Sequence, residues 1–136
     1  MHQQRDRALV LAYEQALYEV QLTTGIITFR VAAAPLGDLR PLRGRSVTVV
    51  TAYNPGHDRP SEAENQRANG RLLSEIAARR WEHYPALGSS PDRSHVEPSL
   101  ALLDLSEAES CALGQRYRQA AVFYWDGAAG RLIWCG

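Results

Sequence analysis

Ser46-Val47-Thr48-Val49-Val50-Thr51-Ala52-Tyr53-Asn54-Pro55-Gly56 is the stretch on which the reading of this chain turns. From Ser46 to Ala52 it is nearly continuous in β-formers, as expected of a central strand covered on both faces. Pro55 crowds the backbone of Asn54 and drives that residue out of the helical region. Pro-Gly then turns the chain toward Pro60-Ser61, where a helix opens. Ser61 and Glu64 have the spacing of a capping box, each side chain satisfying an orphan amide at the helix start. The helix is expected to run to about Arg80. The result is a strand–loop–helix unit whose helix N-terminus offers free amides and partial positive charge.

Working outward, Asp6 to about Tyr18 is rich in helix formers, with Leu9, Tyr13, Ala16 and Leu17 at helical spacing. Glu19–Leu22 and Ile26–Val31 flank Thr23-Thr24-Gly25, a hairpin signal. Ala34–Arg45 reads as a loop. Beyond the central helix, Trp81–Leu87 reads as a strand, Gly88–His95 as a turn-rich loop and Ser99–Leu105 as a further strand. A second box, Ser106 and Glu109, opens a third helix that ends near Arg118. Ala120–Trp125 and Arg131–Cys135 flank Asp126-Gly127-Ala128-Ala129-Gly130, the strongest hairpin signal in the chain. The order αββ-β-α-ββ-α-ββ predicts an α+β fold, a largely antiparallel sheet with three helices packed on it.

Composition narrows the class. The chain has 136 residues, with 15 basic and 15 acidic side chains and no net charge. That length fits a single domain, 1–136, and 45% apolar with 22% charged residues is ordinary for a globular protein. Every basic residue is Arg, and Lys is absent. Even charge argues against nucleic acid, whose binders draw affinity from a basic excess. Arg40, Arg43 and Arg45, and then Arg79 and Arg80, read as a solvated loop and a helix C-terminus. Without Lys there is neither a Schiff-base lysine nor a phosphate-loop lysine. Met1 to Arg7 is polar, and the apolar run Ala8–Ala12 is too short for a signal-peptide core or a membrane span. A cytoplasmic protein with no membrane partner is therefore expected, with Cys111 and Cys135 reduced.

Three polar segments stand out as a candidate site. Thr51 and Asn54 lie where the central strand ends. On the following helix Asn65, Asn69, Leu72 and Ile76 are spaced 4, 3 and 4 apart and share one face. Its C-terminal half is apolar, whereas two amides occupy its N-terminal half. A buried unpaired amide costs on the order of 1–3 kcal/mol, so these either bond to backbone or line a polar cleft. In Glu97-Pro98-Ser99, extended geometry puts Glu97, Ser99, Ala101 and Leu103 on one row. Pro98 cannot donate to a ladder and belongs at a strand start or edge. Gln119 is a comparable polar residue at the end of the third helix.

Together these segments resemble a bacterial family known as domain of unknown function 3293. The carrying residues are Thr51-Ala52-Tyr53-Asn54-Pro55, then Glu64-Asn65 with Asn69 and Leu72. Gly88, Glu97-Pro98-Ser99 and Gln119-Ala120-Ala121-Val122 follow in the expected order, covering most of the chain after about Phe29. That likeness divides the domain into an N-terminal helix and hairpin strand, 1–28, and a family-like core, 29–136. Ser94-His95-Val96 departs from the family pattern, which carries Trp or Gly shortly before E-P-S. The resemblance implies that Thr51, Asn54, Asn65, Glu97 and Gln119 recur as a set; it brings no activity with it.

Two functional readings follow. In the first, Thr51, Asn54, Asn65, Asn69, Glu97, Ser99 and Gln119 bind a small polar ligand, such as a sugar, nucleobase or amide metabolite. If a reaction occurs there, Glu97 is the single nominee for its base. In the second, the polar set is structural and the chain is a non-catalytic interaction or regulatory module, using Trp81, Tyr84, Trp125 and Trp134 as anchors and leaving room for a homodimer. No cofactor is expected. His57, Asp58, His83, His95 and Glu97 match no closed zinc spacing, so no metal is expected either. A serine nucleophile lacks its G-x-S-x-G elbow.

Overall fold

A computed structural model describes residues 6–136, without the side chain of His57. The first five residues of the polar N-terminal stretch, and the His57 side chain among the metal candidates, lie outside the described residues. The elements are α1 (Arg7–Gln15), β1 (Leu17–Leu22), β2 (Gly25–Phe29), β3 (Val47–Val50), α2 (Glu62–Arg79), β4 (His83–Ser89), β5 (Val96–Leu103), α3 (Glu107–Arg116), β6 (Ala121–Trp125) and β7 (Gly130–Trp134). Short 3₁₀ turns occupy Arg40–Leu42 and Pro55–His57. The class is α+β, and the element order is the one the sequence predicts.

All seven strands join one antiparallel sheet in the order β2-β1-β4-β5-β3-β6-β7. β3 lies inside it, between β5 and β6, and all four of its residues are buried. That is why its run of Val and Thr shows no alternation. The sheet curls until its two edges meet, Ala32 just past β2 donating its N–H to Gly130 O at 3.1 Å. Inside the curl Tyr18 stacks on Phe123 with centroids 4.6 Å apart, and Phe29 packs 5.6 Å from Phe123 and 5.3 Å from Trp125. Gly130 permits the closure: a Cβ there would stand 2.5 Å from the Phe123 ring and 3.1 Å from Arg30 O.

Two cores result, one on each face of the sheet. The inner core gathers Tyr18, Val20, Ile27, Phe29, Val47, Val49, Ala101, Leu103 and Phe123. On the outer face α2 and α3 lay Ala68, Leu72, Ile76 and Leu113 over Val50, Leu100, Leu102 and Val122. Full burial of Leu72 or Ile76 contributes roughly 1.5–3 kcal/mol each relative to exposure. Beneath α3 the hydroxyls of Thr48 and Ser110, both fully buried, bond each other at 2.8 Å.

Several expected boundaries move. α1 stops at Gln15 instead of running to Tyr18, because Leu17 already pairs with Ser89 in the sheet. Its side chains are none of them fully buried, so the stripe of Leu9, Tyr13 and Ala16 is a partly covered face. β4 continues through Gly88 and Ser89, and β5 begins at Val96, placing Glu97 and Pro98 within a strand. The two capping boxes also differ. Ser106 and Glu109 form both reciprocal bonds, whereas Ser61 Oγ accepts from Glu64 N and donates to Glu64's own carboxylate. The Ser61 backbone N–H is left out of that second arrangement, and the box is half made.

Candidate functional site

β3 ends at Val50, and the three residues that follow are tied down by side chains. Thr51 Oγ1 donates to Pro98 O at 2.8 Å and accepts from Tyr53 N at 3.0 Å. Pro98 is the third residue of β5, yet it costs no ladder bond. Its N and C=O face the β3 side, and β3 has already ended opposite Leu100. Gln119, buried between α3 and β6, donates Nε2 to Tyr53 O at 3.0 Å and to Tyr117 O at 3.2 Å.

Asn54 then takes left-handed dihedrals, φ 50° and ψ 54°, instead of the extended region that Pro55 favours. Asn tolerates this conformation better than most residues, and three hydrogen bonds fix it there. Its N–H donates to Asn65 Oδ1 at 2.9 Å, and its Oδ1 accepts from Asn65 Nδ2 at 3.1 Å. Its Nδ2 donates to Glu97 Oε2 at 2.7 Å, a charge-assisted bond. Asn65 is 5% exposed, so its buried amide is satisfied by residue 54 alone. At the next turn Gly56 has φ +64°, and a Cβ on it would sit 2.6 Å from the Arg118 guanidinium. Gly56 N donates to Arg118 O at 2.8 Å, drawing the loop against the α3–β6 junction.

Thr51, Asn54, Asn65, Glu97 and Gln119 thus form one connected region, joined through Tyr53 and Pro98. Ser99 lies beneath it, 7% exposed, its Oγ donating to Glu97 O at 3.2 Å. Asn69 is apart: half-buried one turn further along α2, it makes no side-chain hydrogen bond among the described residues. Glu97, with Ser99, Ala101 and Leu103, faces the inside of the curl, where Ala101 and Leu103 enter the inner core.

α1 crosses the open end of the curl above Glu97. Tyr13 packs edge-on against Trp134 of β7 at 5.4 Å, and Tyr18 OH donates to Tyr13 O at 3.0 Å. Between α1 and the end of the β4–β5 hairpin lies a cleft of about 420 Å³. Leu9, Ala12, Tyr13 and Ala16 form one wall; Gly88, Ser89, Ser90, Pro91, His95 and Glu97 form the other. Glu97, whose side chain is 23% exposed, is the one acidic or Arg residue in that lining. His95 Nε2 stands 3.5 Å from Glu97 Oε2, while Oε1 takes no hydrogen bond among the described residues. Ser89 is 3% exposed and its Oγ has no partner among the described residues. Burial and then the Glu97 charge push the Tyr13 phenol up to about 12, and burial first of all raises Tyr18 as well.

The cleft residues Tyr13, Ser89 and His95 were not among the expected site residues. Tyr13 reads as part of a helix stripe, and Ser89 and His95 read as loop. His95 stands two residues before Glu97 and enters with it only as a metal candidate, while nothing in the spacing of Tyr13 or Ser89 ties them to Glu97 before the strands pair. Gly88 does carry a signal, since it lies opposite both Tyr18 and Glu97 in the sheet and leaves room between them.

Residues 50–122 match a family described as "Protein of unknown function (DUF3293)". The chain belongs to that family. The matched span carries the whole amide cluster and the β4–β5 wall of the cleft, while α1 lies outside it. No curated protein and no solved structure matches the chain.

A second hollow, of about 280 Å³, lies beside Leu39, Arg40, Arg43 and Trp125. Its Arg40 guanidinium is already held by Asp38 at 2.8 Å, so it offers a ligand little free charge. Among the aromatic residues considered as interface anchors, Trp125 is buried and Trp81, Tyr84 and Trp134 are half-buried. Arg79 covers the Trp81 ring at 5.1 Å. Among the described residues no group of three or more His, Cys, Asp or Glu could hold a metal ion, and no helix is long and apolar enough to cross a membrane.

Proposed function

We propose that this chain binds a small polar molecule in the cleft under α1, with Glu97 as the polar contact. The observation that carries this reading is the state of the Glu97 carboxylate. One oxygen is fixed by the Asn54 amide, and the other takes no hydrogen bond among the described residues, on a side chain that lines an open cleft. A concave, largely apolar space with a few convergent polar groups is the usual form of a small-molecule site. Thr51, Asn54, Asn65, Ser99 and Gln119 act behind Glu97, holding the strand end and loop that aim it. Asn69 stands off the cluster and has no part in this version of the site. The chemistry at Glu97 suits a hydrogen-bond donor on the ligand, as sugars, nucleobases and amide metabolites all carry.

The test is a thermal-shift screen of wild type and Glu97→Gln against a metabolite library. A ligand that binds the folded state at a hundred times its Kd stabilises it by about 2.7 kcal/mol. At least one compound is expected to raise the melting temperature of wild type and to lose most of that effect in Glu97→Gln. Equal shifts in both proteins would move the site away from Glu97, and no shift from any compound would count against ligand binding itself.

A further inference from the structure

We propose that the cleft receives an organic cation, an alkyl- or arylalkylammonium whose charged end sits on Glu97 and whose hydrocarbon lies against α1. This rests on the small-molecule reading above and narrows its ligand class.

Charge is the first argument. No Arg pairs with Glu97 among the described residues; its nearest polar neighbours are the Asn54 amide at 2.7 Å and the His95 imidazole at 3.5 Å. Arg93, the arginine of the adjoining β4–β5 turn, is taken up by Glu19 instead. A partly buried carboxylate with an imidazole but no arginine beside it among the described residues gains from a guest that brings a permanent cation. The same charge repels anions, so the negative end of an acidic metabolite has no place here.

Shape and polarity give the second argument. The α1 wall is mostly hydrocarbon and ring, Leu9, Ala12, Ala16 and Tyr13 standing beside the single amide of Gln15. A sugar would leave most of its hydroxyls against such a wall without partners, at a cost in each case. A short apolar tail fits it. The field of Glu97 reaches the wall, for after burial it is the next cause of the raised Tyr13 phenol. Gln15, Ser89, Ser90 and His95 are the other polar residues of the lining, and of these the Ser89 hydroxyl is buried without a partner among the described residues.

The experiment follows backbone amide shifts by NMR at about pH 8, above the ordinary imidazole range. Four probes are titrated: 2-phenylethylammonium, the neutral 2-phenylethanol, the anion phenylacetate, and adenosine as a neutral polar control. The ammonium is expected to move the amides of Gly88, Ser89, His95 and Glu97, and to bind at least about tenfold tighter than the alcohol, as a charge-assisted bond implies. Phenylacetate should leave them unmoved. Glu97→Gln should lose the preference for ammonium over alcohol. Ala12→Trp, at an exposed α1 position in the cleft wall, should block every probe without touching the amide cluster. If adenosine or the alcohol moves these amides and the ammonium does not, the cation inference is overturned while the small-molecule site stands. If the ammonium binds Glu97→Gln as tightly as wild type, the inference is likewise overturned. If no probe moves the amides at all, the cation inference fails, and the metabolite screen then decides the site by itself.

Discussion

Behind Glu97 the polar groups are closed on one another, and in front of it they are not. On the rear side both ends of the Asn54 and Asn65 amides are engaged, Thr51 bridges two backbone groups, and Gln119 ties Tyr53 to the α3–β6 junction. On the front side a carboxylate oxygen and the Ser89 hydroxyl, both without a hydrogen-bond partner among the described residues, stand at a cleft walled by a helix with no fully buried residue. The contrast separates two uses of polar residues in one small sheet. A satisfied network fixes geometry, and its members cannot also serve a ligand without breaking that geometry. Unspent capacity on the far side of the same carboxylate is what a ligand can use.

The contrast breaks most severely at Asn65. Asn65→Ala strips the Asn54 N–H and Oδ1 of their partners together, and the site is nearly closed to water. A loss of about 2–3 kcal/mol in unfolding free energy is expected, from two lost bonds and the groups they leave unsatisfied. Urea denaturation followed by tryptophan fluorescence measures it. A loss below about 0.5 kcal/mol would mean that the rear network has relaxed onto water and is not closed.

On the front side the corresponding lever is pH. The folded state lifts Tyr13 from its ordinary value of 10.0 to about 12, through burial and the Glu97 charge. A pKa raised in the folded state means that its stabilising contribution is complete below pH 10 and is lost as pH climbs toward 12. Stability should therefore fall across that window, and Tyr13→Phe should make the fall shallower. Tyr18, also raised, keeps part of the slope in place. Denaturation midpoints at pH 9, 10 and 11 for both proteins give the comparison. Parallel curves would show that the Tyr13 phenol meets solvent freely, and α1 would then not cover the mouth of the curl.

The two sides were also unequally legible. The rear side lies on periodic elements: β3 shows its burial as an unbroken β-run, and Asn65 sits on the same helical face as Leu72 and Ile76. The row from Glu97 to Leu103 follows from strand alternation alone. The front side depends on long-range pairing. Leu17 belongs to β1 because it finds Ser89 across the sheet, and a helix-like stripe in the sequence gives no notice of that. Ser89 comes to the cleft through the same pairing, and Tyr13 through the curl that sets Trp134 beneath α1. Two boxes with one sequence spacing, Ser61–Glu64 and Ser106–Glu109, closed differently because Glu64 bonds the Ser61 hydroxyl where Glu109 reaches a backbone N–H. Local spacing proposes such contacts, and the surrounding side chains choose among them.

Ser89 sharpens the front side with a smaller effect of opposite sign. Its hydroxyl is buried without a partner among the described residues, so Ser89→Ala removes a desolvated polar group and leaves the volume almost unchanged. A gain of about 1 kcal/mol in unfolding free energy is expected. A loss of similar size would show that the hydroxyl already has a partner, a bound water in the cleft being the simplest, and the front side would be less open than drawn.

Glu97→Gln tests the boundary itself and should have the smallest effect on stability, within about 0.5 kcal/mol of wild type. The Gln carbonyl oxygen can take the place of Oε2 and accept from Asn54 Nδ2, so the 2.7 Å bond becomes a neutral one of the same geometry. The part of the bond that depended on charge is lost, as is the cost of holding a carboxylate partly out of water, and the two offset. The new amide nitrogen takes the place of Oε1. Glu97→Leu makes the matching control, because it deprives Asn54 Nδ2 of its acceptor and should cost about 1–2 kcal/mol more than Glu97→Gln. Chemical denaturation of the pair assigns Glu97 to one side or the other. If Gln is as damaging as Leu, the negative charge itself holds the rear network together, and Glu97 belongs to the closed side. If Gln is silent while Leu is not, only the acceptor is structural, and the charge is left over for whatever enters the cleft.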